Sequence, residues 1–600
     1  MWTRGIINPI PKDNTKDPRE PMNSRGITLA CVMYKIYCGV LNKRICKWAE
    51  SNELLVDEQN GFRKGRSTLD QLSTLTSIID QRKAKRLSTF VAFIDFSKAY
   101  DCINRMLLWY KLDKIGMPVK MLSALKCIYN KVECCVRING IKTDWFDVGL
   151  GLKQGCLISP ILFNLYVNDL ANDIKDAGIG VKCGDDLVSV LLYADDICLI
   201  AESEQELQKL LDILNSWCVK WKMQVNTQKS QIVHFRNNAK TRSNAVFNFG
   251  DDRIDIVSSY KYLGLVITEH MDYHVMAKMV SQAAGRALGL LIAKFKSCGG
   301  MPYEVYTKLY DVLVQSVINY GAAIWGSQSH SCIMAVQMRA SRYFLGVGKY
   351  TPNTAVLRDM GWDFPKQRIG VSIARLWCRL TNLNNSRLNK RVFTWAKHEP
   401  QGRNTWYKRV CNMFMDIDEN FCSTEHFHNV RSTIANVNQM FHEKLLQEWK
   451  NDLNRIESRQ HGFGRNKLRT YRLFKSEFGV ESYVFQNLPR KYRSSFAKFR
   501  CGVAPIRIET GRYCGLEENM RVCYNCEGVI ENEIHVITEC PKYSDIRADL
   551  YEHVRRNIIN FDSLNNEQIF MVLFKEANVC FYVAKACDSI LNRYIIYNSR

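Results

Sequence analysis

The stretch Leu187-Val-Ser-Val-Leu-Leu-Tyr-Ala-Asp-Asp-Ile-Cys-Leu-Ile-Ala201 decides the fold of this chain. It contains two apolar, β-prone runs on either side of the acidic pair Asp195-Asp196. Two short runs of this kind, joined by a tight turn, predict a β-hairpin in an apolar core. We therefore predict a hairpin that carries two carboxylates at its turn.

A third carboxylate ends another predicted strand, Phe90-Val-Ala-Phe-Ile-Asp95. Adjacent strands would bring Asp95, Asp195 and Asp196 together, and divalent cations would relieve their mutual repulsion. Oxygen ligands suit Mg²⁺, and two such ions ~3.5–4 Å apart serve the attacking and leaving oxygens of a phosphoryl transfer. The residues therefore predict nucleotidyl transfer with two Mg²⁺ ions, with Mn²⁺ as the alternative ion.

A second acidic pair, Asp185-Asp186, precedes the first by ten residues. It follows Lys182-Cys-Gly and has an apolar run on one side only, whereas a hairpin inserted into a core needs apolar residues on both sides. We predict a solvated turn for this pair.

The segment after the hairpin predicts a helix of about five turns. It begins with the capping-box pattern Ser203-Glu-Gln-Glu206, and its apolar residues then recur at three- and four-residue intervals. These residues are Leu207, Leu210, Leu211, Leu214, Trp217, Cys218 and Trp221. This stripe is expected to pack on a sheet.

Composition limits the class of protein. The 600 residues are 46% apolar, which excludes a disordered or collagen-like chain and suits roughly three to five domains. The formal net charge of +23 predicts a polyanionic partner, first of all nucleic acid. The 23 cysteines are scattered through apolar stretches, which indicates a reducing compartment, and the pattern predicts neither secretion nor contact with a membrane.

Residues 451–500 hold twelve Lys and Arg against four Asp and Glu. Aromatic residues are interleaved with these charges: Phe463, Tyr471, Phe474, Tyr483, Phe485, Tyr492, Phe496 and Phe499. Such a segment binds nucleic acid if the cations contact phosphates and the aromatics stack on bases. The alternative is a solvated basic face over an aromatic core.

The spacing Cys523-x2-Cys526-x8-His535-x4-Cys540 is typical of a closed, tetrahedral zinc site. We predict a structural Zn²⁺ ion there. The alternative is a set of buried free thiols.

Several motifs, in order, carry a resemblance to a known family. They are Phe93-Ile-Asp-Phe-Ser-Lys-Ala-Tyr-Asp101, Gly151-Leu-Lys-Gln-Gly-Cys-Leu-Ile-Ser-Pro160, Tyr193-Ala-Asp-Asp196, Asn226-Thr-Gln-Lys229 and Tyr262-Leu-Gly264, preceded by Ile7-Asn-Pro-Ile-Pro-Lys12, Asn23-Ser-Arg-Gly-Ile-Thr-Leu29 and Gln59-Asn-Gly-Phe-Arg-Lys-Gly-Arg-Ser-Thr68. Together they resemble the fingers and palm motifs of reverse transcriptases of non-LTR (LINE-type) retrotransposons. The resemblance extends, more weakly, to the Cys/His-rich tail.

The resemblance implies roles for residues around the carboxylates. Asp95, Asp195 and Asp196 match the catalytic metal ligands, and the backbone carbonyl of Phe96 matches a further ligand. Tyr100 matches the steric gate that excludes a 2′-OH, although an aromatic at this position also fills a core.

Other matches concern the nucleotide and the primer. Gln154 and Gly155 match the motif that lines the incoming nucleotide, and Lys229 matches a general acid for pyrophosphate. Lys12, Arg25 and Arg63 resemble the cations that hold the triphosphate, and the alternative for each is an ordinary surface cation. Tyr262, Leu263 and Gly264 resemble the primer grip.

The implied fold is α+β, a right-hand polymerase with fingers, a palm built on an antiparallel sheet, and a helical thumb. We place fingers and palm at 1–270, the thumb and a connecting region at 271–400, a basic nucleic-acid-binding region at 401–510 and a zinc-binding module at 511–600. The resemblance implies incomplete fingers and the absence of the family's endonuclease. We find no residue set typical of an RNase H domain.

The implied function is RNA-directed DNA synthesis, in which a DNA primer at a nicked target is extended on template RNA with dNTPs. An element ribonucleoprotein of this kind is expected in the nucleus and cytoplasm. One alternative is a catalytically inactive, truncated remnant that only binds RNA or DNA. The other is an intron-type maturase, which the Cys/His tail disfavours.

Overall fold

The computed structural model describes residues 4–12, 17, 19–328, 330–400, 402, 404–455, 468–475, 477 and 479–598. The chain divides into two compact units. The first comprises residues 1–273, 376–412 and 425–427, and the second comprises residues 274–375, 413–424 and 428–600. The break after residue 273 lies close to the expected boundary at 270. The expected boundaries at 400 and 510 do not coincide with the ends of either unit.

The strands all lie in the first unit. They are β1 (Arg4–Pro11), β2 (Ser24–Leu29), β3 (Thr89–Ile94), β4 (Glu133–Ile138), β5 (Ile141–Lys142), β6 (Phe146–Asp147), β7 (Val181–Cys183), β8 (Asp186–Val188), β9 (Val190–Tyr193), β10 (Asp196–Ala201), β11 (Gln231–Phe235), β12 (Phe247–Phe249), β13 (Asp252–Ile254), β14 (Ile256–Val257), β15 (Ser259–Tyr262) and β16 (Leu265–Thr268). Among the described residues, none of the second unit forms a strand.

The central sheet has the strand order β14-β11-β3-β10-β9. Strand β3 lies antiparallel to both β10 and β11, and β10 lies antiparallel to β9. All six residues of β3 are buried. Because β3 is the middle strand and is covered on both faces, its sequence is a continuous apolar run rather than an alternating one. The predicted hairpin and the predicted strand before Asp95 are both confirmed.

A second sheet joins β1 and β2 as an antiparallel hairpin and pairs β1 with β4 in parallel. The described part of residues 1–273 also forms six α-helices. They are α1 (Val32–Ser51), α2 (Thr68–Ala84), α3 (Arg105–Lys114), α4 (Val119–Tyr129), α5 (Ser159–Asp176) and α6 (Glu204–Trp221).

Helix α6 confirms the predicted amphipathic helix. Ser203 caps it, since its hydroxyl accepts a hydrogen bond from the Glu206 N–H at 3.3 Å. All seven residues of the predicted apolar stripe are buried. They belong to the same core cluster as residues of β3 and β10, so the stripe packs as its spacing predicts.

The remaining helices follow in chain order. They are α7 (His274–Ser297), α8 (Tyr303–Tyr310), α9 (Ser316–Asn319), α10 (Ala322–Trp325), α11 (Ser331–Leu345), α12 (Asn353–Met360), α13 (Pro365–Asn382), α14 (Leu388–His398), α15 (Trp406–Met415), α16 (Val430–Arg455), α17 (Tyr471–Phe474), α18 (Ser482–Phe485), α19 (Arg490–Arg500), α20 (Arg507–Tyr513), α21 (Ser544–Arg555), α22 (Asn566–Lys575) and α23 (Cys580–Asn598). The predicted change from strands to helices near residue 270 is confirmed.

Among the described helices, α7 alone is long and apolar enough to cross a membrane by length and composition. One such helix is weak evidence, because a core helix meets the same criterion. Its buried residues recur every three or four positions, as in Met276, Val280, Ala284, Leu288 and Leu291. This stripe is typical of a helix that packs one face against protein.

Residues 376–412 return to the first unit and neutralise two buried carboxylates of α2. Arg379 makes a bidentate ion pair with Asp70 at 2.6 and 2.7 Å, and the Asp70 side chain is fully buried. The Arg409 guanidinium lies 3.7 Å from Asp80, which also accepts a hydrogen bond from the Trp406 N–H at 2.9 Å. An unpaired buried carboxylate is costly, so the returning segment belongs to the core of this unit.

The aromatics of the basic region form a core. Tyr471, Phe474, Tyr483, Phe496 and Phe499 are all buried. Phe463 lies outside the described residues, and Phe485 is exposed. These five rings form an aromatic core and have no exposed face to stack on bases, whereas Tyr492 is half-buried. The solvated basic face of the alternative is present only in part, because Lys475, Arg493 and Arg500 are buried.

Candidate active site

The register of the central sheet brings the three predicted carboxylates to one end. Asp196 pairs with Tyr193, which leaves Ala194 and Asp195 as a two-residue turn. Ile197 pairs with Ile94 of β3, so Asp95, the next residue, lies beside Asp196. The two strand ends and one turn therefore form a single acidic site.

Burial and mutual repulsion perturb two of these carboxyl groups. Burial, then the charges of Asp195 and Asp95, raise the pKa of Asp196 to about 7. Burial also raises the pKa of Asp195, with Asp95 adding to the rise and Arg25 opposing it. Carboxylates that repel one another at close range are suited to bind divalent cations, and their oxygen atoms are the ligands that Mg²⁺ prefers.

The segment after α6 fixes the backbone around Asp95. The Asp95 N–H donates to the Ser230 hydroxyl at 3.1 Å, and its C=O accepts from the Asn226 N–H at 2.7 Å. Phe96 forms a β-bridge with Val225, and its side chain is buried. The backbone of the predicted ligands Asp95 and Phe96 is thus held on both sides.

Lys229 comes from the same segment and lies at the acidic site. Its Nζ is 3.6 Å from Asp95 Oδ2, while its side chain is 68% exposed. An exposed ammonium beside the carboxylates is placed to meet an anionic substrate, as the predicted general acid requires.

Tyr100 lies between the core and the carboxylates. Its ring stacks on Phe163 with centroids 5.0 Å apart, and the side chain is half-buried. Burial, and secondarily the charge of Asp195, raise the pKa of its hydroxyl. The position suits both the predicted gate and the alternative of an aromatic that fills the palm edge.

The loop that carries Gln154 and Gly155 packs tightly against β2. The Thr28 N–H donates to the Gln154 carbonyl at 2.8 Å, and Gln154 Nε2 donates to Asp101 at 3.3 Å. Gly155 has a φ of +97°, and a Cβ there would lie 3.0 Å from the Thr28 carbonyl oxygen. Only glycine fits this approach without strain.

The three cationic residues predicted to bind the triphosphate differ in their exposure and in their partners. Lys12 and Arg25 lie exposed on the β1–β2 hairpin, and the charge of Arg25 reaches Asp195. Arg63 is different: its side chain is 6% exposed and makes a bidentate pair with Glu50 at 2.7 and 2.9 Å. It also donates to the Val56 carbonyl at 2.7 Å. The donors of Arg63 are thus committed within the fold, and its role in binding triphosphate stays a prediction.

The predicted primer-grip residues also separate. Tyr262 is buried, and its hydroxyl accepts from Gln71 Nε2 at 3.2 Å. Leu263 and Gly264, with φ of +45° and +82°, form the half-buried turn between β15 and β16. Of the three residues, the two in the turn are the accessible ones, and the primer grip stays a prediction.

Two residues at this site were not identified from the sequence. Tyr260 stacks on Phe93 with centroids 4.4 Å apart, and burial together with the charges of Asp196 and Asp95 raises its pKa to about 12. Gln59 hydrogen-bonds the backbone of the turn residue Ala194. Gln59 opens the fingers-like motif that ends at Thr68, but no local pattern places either residue at the hairpin, because only the tertiary fold brings it there.

The second acidic pair lies in another hairpin, between β7 and β8. Asp185 is exposed in the turn, as predicted. Asp186 is not simply solvated: it is half-buried and accepts two hydrogen bonds from Arg391 Nε at 2.8 and 3.0 Å.

The four predicted zinc ligands converge. One donor atom from each of Cys523, Cys526, His535 and Cys540 lies within 4.8 Å of every other. His535 Nδ1 lies 3.1 Å from the Glu539 carboxylate, and its buried Nε2 has no hydrogen-bond partner among the described residues. A carboxylate on one ring nitrogen and a free second nitrogen are typical of a metal-ligating histidine. The cluster is therefore compatible with a structural Zn²⁺ ion.

Comparison with known proteins adds an independent result. Residues 10–267 match the family model described as reverse transcriptase (RNA-dependent DNA polymerase). A probable RNA-directed DNA polymerase from transposon BS of Drosophila melanogaster is 25% identical over 389 residues, which are 63% of this chain and 42% of that protein. A probable RNA-directed DNA polymerase from transposon X-element of the same organism is 25% identical over 374 residues, which are 60% of this chain and 39% of that protein.

The chain thus spans about two fifths of the length of these curated relatives. Among solved structures, apo telomerase from Candida tropicalis matches with a TM-score of 0.34 and 13% sequence identity, over 75% of this chain and 69% of that chain.

Proposed function

We propose that this chain, whose residues 10–267 belong to the reverse transcriptase family, is the RNA-directed DNA polymerase of a non-LTR retrotransposon. The observation that carries the proposal is the convergence of Asp95, Asp195 and Asp196 at one end of the central sheet. We assign the central sheet to the palm of a right-hand polymerase and the β1–β2 hairpin to its fingers. Helices after residue 273 supply the thumb.

Each carboxylate has a role in this reaction. Asp95, Asp195 and Asp196 hold two divalent cations, with the Phe96 carbonyl as a further ligand. Bound there, Mg²⁺ lowers the barrier to attack by the primer 3′-OH on the α-phosphate of a dNTP and stabilises the departing pyrophosphate. Lys229, beside Asp95, supplies a proton to the pyrophosphate.

Other residues select and orient the nucleotide. Lys12 and Arg25 neutralise the triphosphate from the exposed face of the fingers hairpin. Gln154 and Gly155 line the nucleotide site, and the half-buried ring of Tyr100 excludes a ribose 2′-OH. The substrates are therefore dNTPs.

The partners are template RNA and a primer DNA end at the target site. A net charge of +23 favours phosphate contacts, which give little sequence specificity and a steep loss of affinity with salt. The Cys/His cluster, folded around Zn²⁺, helps to hold template RNA or target DNA. The complex acts as a ribonucleoprotein in the cytoplasm and nucleus.

Primer extension tests the proposal. Purified protein is given a DNA primer on an RNA template, dNTPs and Mg²⁺, beside Asp195→Asn and a chelator control. Extension that both the variant and the chelator abolish is the expected result. An absence of extension by the unmodified chain, with salt-sensitive RNA binding retained, would instead establish a binding remnant.

A further inference from the structure

The edge strand β9 of the central sheet is covered by residues 58–61, which we call the clamp segment. Gln59 forms a parallel β-bridge with Leu192 of the edge strand β9. The Leu192 N–H donates to the Glu58 carbonyl at 3.0 Å, and the Asn60 N–H donates to the Leu192 carbonyl at 2.9 Å. The clamp segment therefore lies along β9 and reaches the turn that carries Asp195.

The side chain of Gln59 binds the backbone of that turn. Its Oε1 accepts hydrogen bonds from the N–H groups of Ala194 and Gly61, both at 2.8 Å. Its Nε2 donates to the Ala194 carbonyl at 3.4 Å. Ala194 has a φ of +58°, a conformation that is unfavourable for a residue with a side chain. One amide thus satisfies both backbone groups of the residue that precedes Asp195.

The clamp segment packs closely against the turn and is hydrogen-bonded to two helices. A Cβ on Gly61 would lie 2.2 Å from the Ala194 nitrogen. The Gly61 carbonyl accepts from Asn164 Nδ2 at 2.8 Å. Asn60 Nδ2 donates to Gln71 Oε1 at 2.5 Å. The clamp segment is thus hydrogen-bonded to α5 through Asn164 and to α2 through Gln71.

We propose that Gln59 is a positioning residue for the acidic site, which it serves by holding Ala194 in the conformation that aims Asp195 and Asp196 at the metal ions. The inference rests on the proposed polymerase function. Gln59 touches neither substrate nor metal in this account, since its donors and acceptor are taken up by backbone groups of the turn and of Gly61. Its effect is on the geometry of metal binding.

The experiment compares Gln59→Met with Gln81→Met in the full chain. Methionine keeps the length of glutamine but removes both hydrogen-bonding groups. Gln81 is a matched control, because it is equally buried on α2 and donates to the Ala396 carbonyl at 3.0 Å, outside the acidic site. Thermal unfolding and RNA binding establish that each variant is folded.

Two readouts separate positioning from general structure. For Gln59→Met we expect kcat for primer extension to fall on the order of 100-fold, with the KM for dNTP changed by less than about three-fold. The Mg²⁺ concentration for half-maximal rate is expected to rise at least about ten-fold. Gln81→Met is expected to keep the Mg²⁺ requirement of the unmodified protein.

A second variant covers a failure of Gln59→Met to fold. Gln59→Glu keeps an acceptor oxygen for the two N–H groups but loses the donor to the Ala194 carbonyl, so it is expected to retain more activity than Gln59→Met and still to raise the Mg²⁺ concentration for half-maximal rate at least about three-fold. If whichever of the two variants folds has unmodified kcat and Mg²⁺ dependence, the inference is overturned and the polymerase function stands.

A direct measurement of Mn²⁺ binding tests the role of Gln59 separately from the proposed polymerase function. Zinc-saturated protein is titrated with Mn²⁺ and bound ion is followed by electron paramagnetic resonance, with Asp195→Asn identifying the acidic site. Weaker Mn²⁺ binding by the Gln59 variant supports the inference even if the unmodified chain extends no primer. Equal binding by the Gln59 variant and the unmodified chain contradicts it.

Discussion

Two β-hairpins of the same unit present an acidic pair at the same position. In one, Cys183 pairs with Asp186 across a turn of Gly184 and Asp185. In the other, Tyr193 pairs with Asp196 across a turn of Ala194 and Asp195. The first turn residue has a φ of +66° in Gly184 and +58° in Ala194. The backbones are alike, so the backbone alone does not make a metal site.

The surroundings of the two pairs differ. Arg391 neutralises Asp186 through two hydrogen bonds, and Asp185 faces solvent. In the other hairpin, burial and a neighbouring carboxylate raise the pKa of both aspartates. A hairpin becomes an acidic site when its carboxylates are gathered with a third one and left without a matched arginine.

The largest effect is expected from exchanging carboxylates for amides in each hairpin. Asp196→Asn removes a metal ligand and should lower the rate of primer extension on the order of 1,000-fold. Asp185→Asn alters an exposed turn and should leave the rate within about two-fold. Steady-state extension assays on both variants check this. Comparable losses in the two would show that the hairpins do not differ in function.

Nucleotide selection gives the next largest effect. Tyr100 lies within the field of Asp195, and we expect Tyr100→Val to raise the use of rNTP relative to dNTP by roughly 10–200-fold. Competition between rNTP and dNTP in a single assay measures the ratio. An unchanged ratio would favour the alternative of a purely structural aromatic.

A smaller effect concerns stability without metal. The folded-state pKa of Asp196 is about 7, above its ordinary value of 3.8, so the folded protein holds a proton that the unfolded chain releases. The free energy of unfolding therefore falls as the pH rises from about 3.8 to about 7, and the whole loss of stability is present above about pH 7. We expect Asp196→Asn to raise the melting temperature in chelator by a few degrees at about pH 8, and to have little effect at about pH 4. Calorimetry of the variant and the unmodified protein at the two pH values tests the sign, and a variant that melts below the unmodified protein at about pH 8 would contradict it.

The smallest effect is expected at Arg391. Its ion pair with Asp186 is partly exposed, so Arg391→Gln should destabilise the protein by about 0.2–1 kcal/mol and leave extension unchanged. Denaturant unfolding and extension assays measure both quantities. If extension fell with Arg391→Gln, the Asp186 hairpin would have a part in the reaction.

Sequence patterns predict the elements built on local periodicity. The two apolar runs around Asp195 and Asp196 predict the hairpin, and the spacing from Leu207 to Trp221 predicts α6, because burial follows directly from these patterns. The clustering of Cys523, Cys526, His535 and Cys540 was also predictable, since ligand spacing in sequence constrains it.

Other features depend on partners distant in sequence. Arg63 has the charge and the donors of a phosphate ligand, but its guanidinium donates hydrogen bonds to Glu50 and to backbone carbonyls. Tyr262 is drawn into the core by Gln71. Residues 376–412 supply Arg379, which pairs with the buried Asp70, and the sequence does not show that these two residues are partners. The contacts of these residues are made with partners distant in sequence, so no local sequence pattern predicts them.

Mapping the site of metal binding tests the central claim most directly. Mg²⁺ is replaced by Fe²⁺, hydroxyl radicals are generated with ascorbate and peroxide, and backbone cuts in the full, zinc-loaded chain are identified by mass spectrometry. The account predicts cuts next to Asp95 and at the Asp195-Asp196 turn, suppressed by excess Mg²⁺, and none at Asp185-Asp186. Cuts at Asp185-Asp186, or equal cutting of the two hairpins, would contradict it.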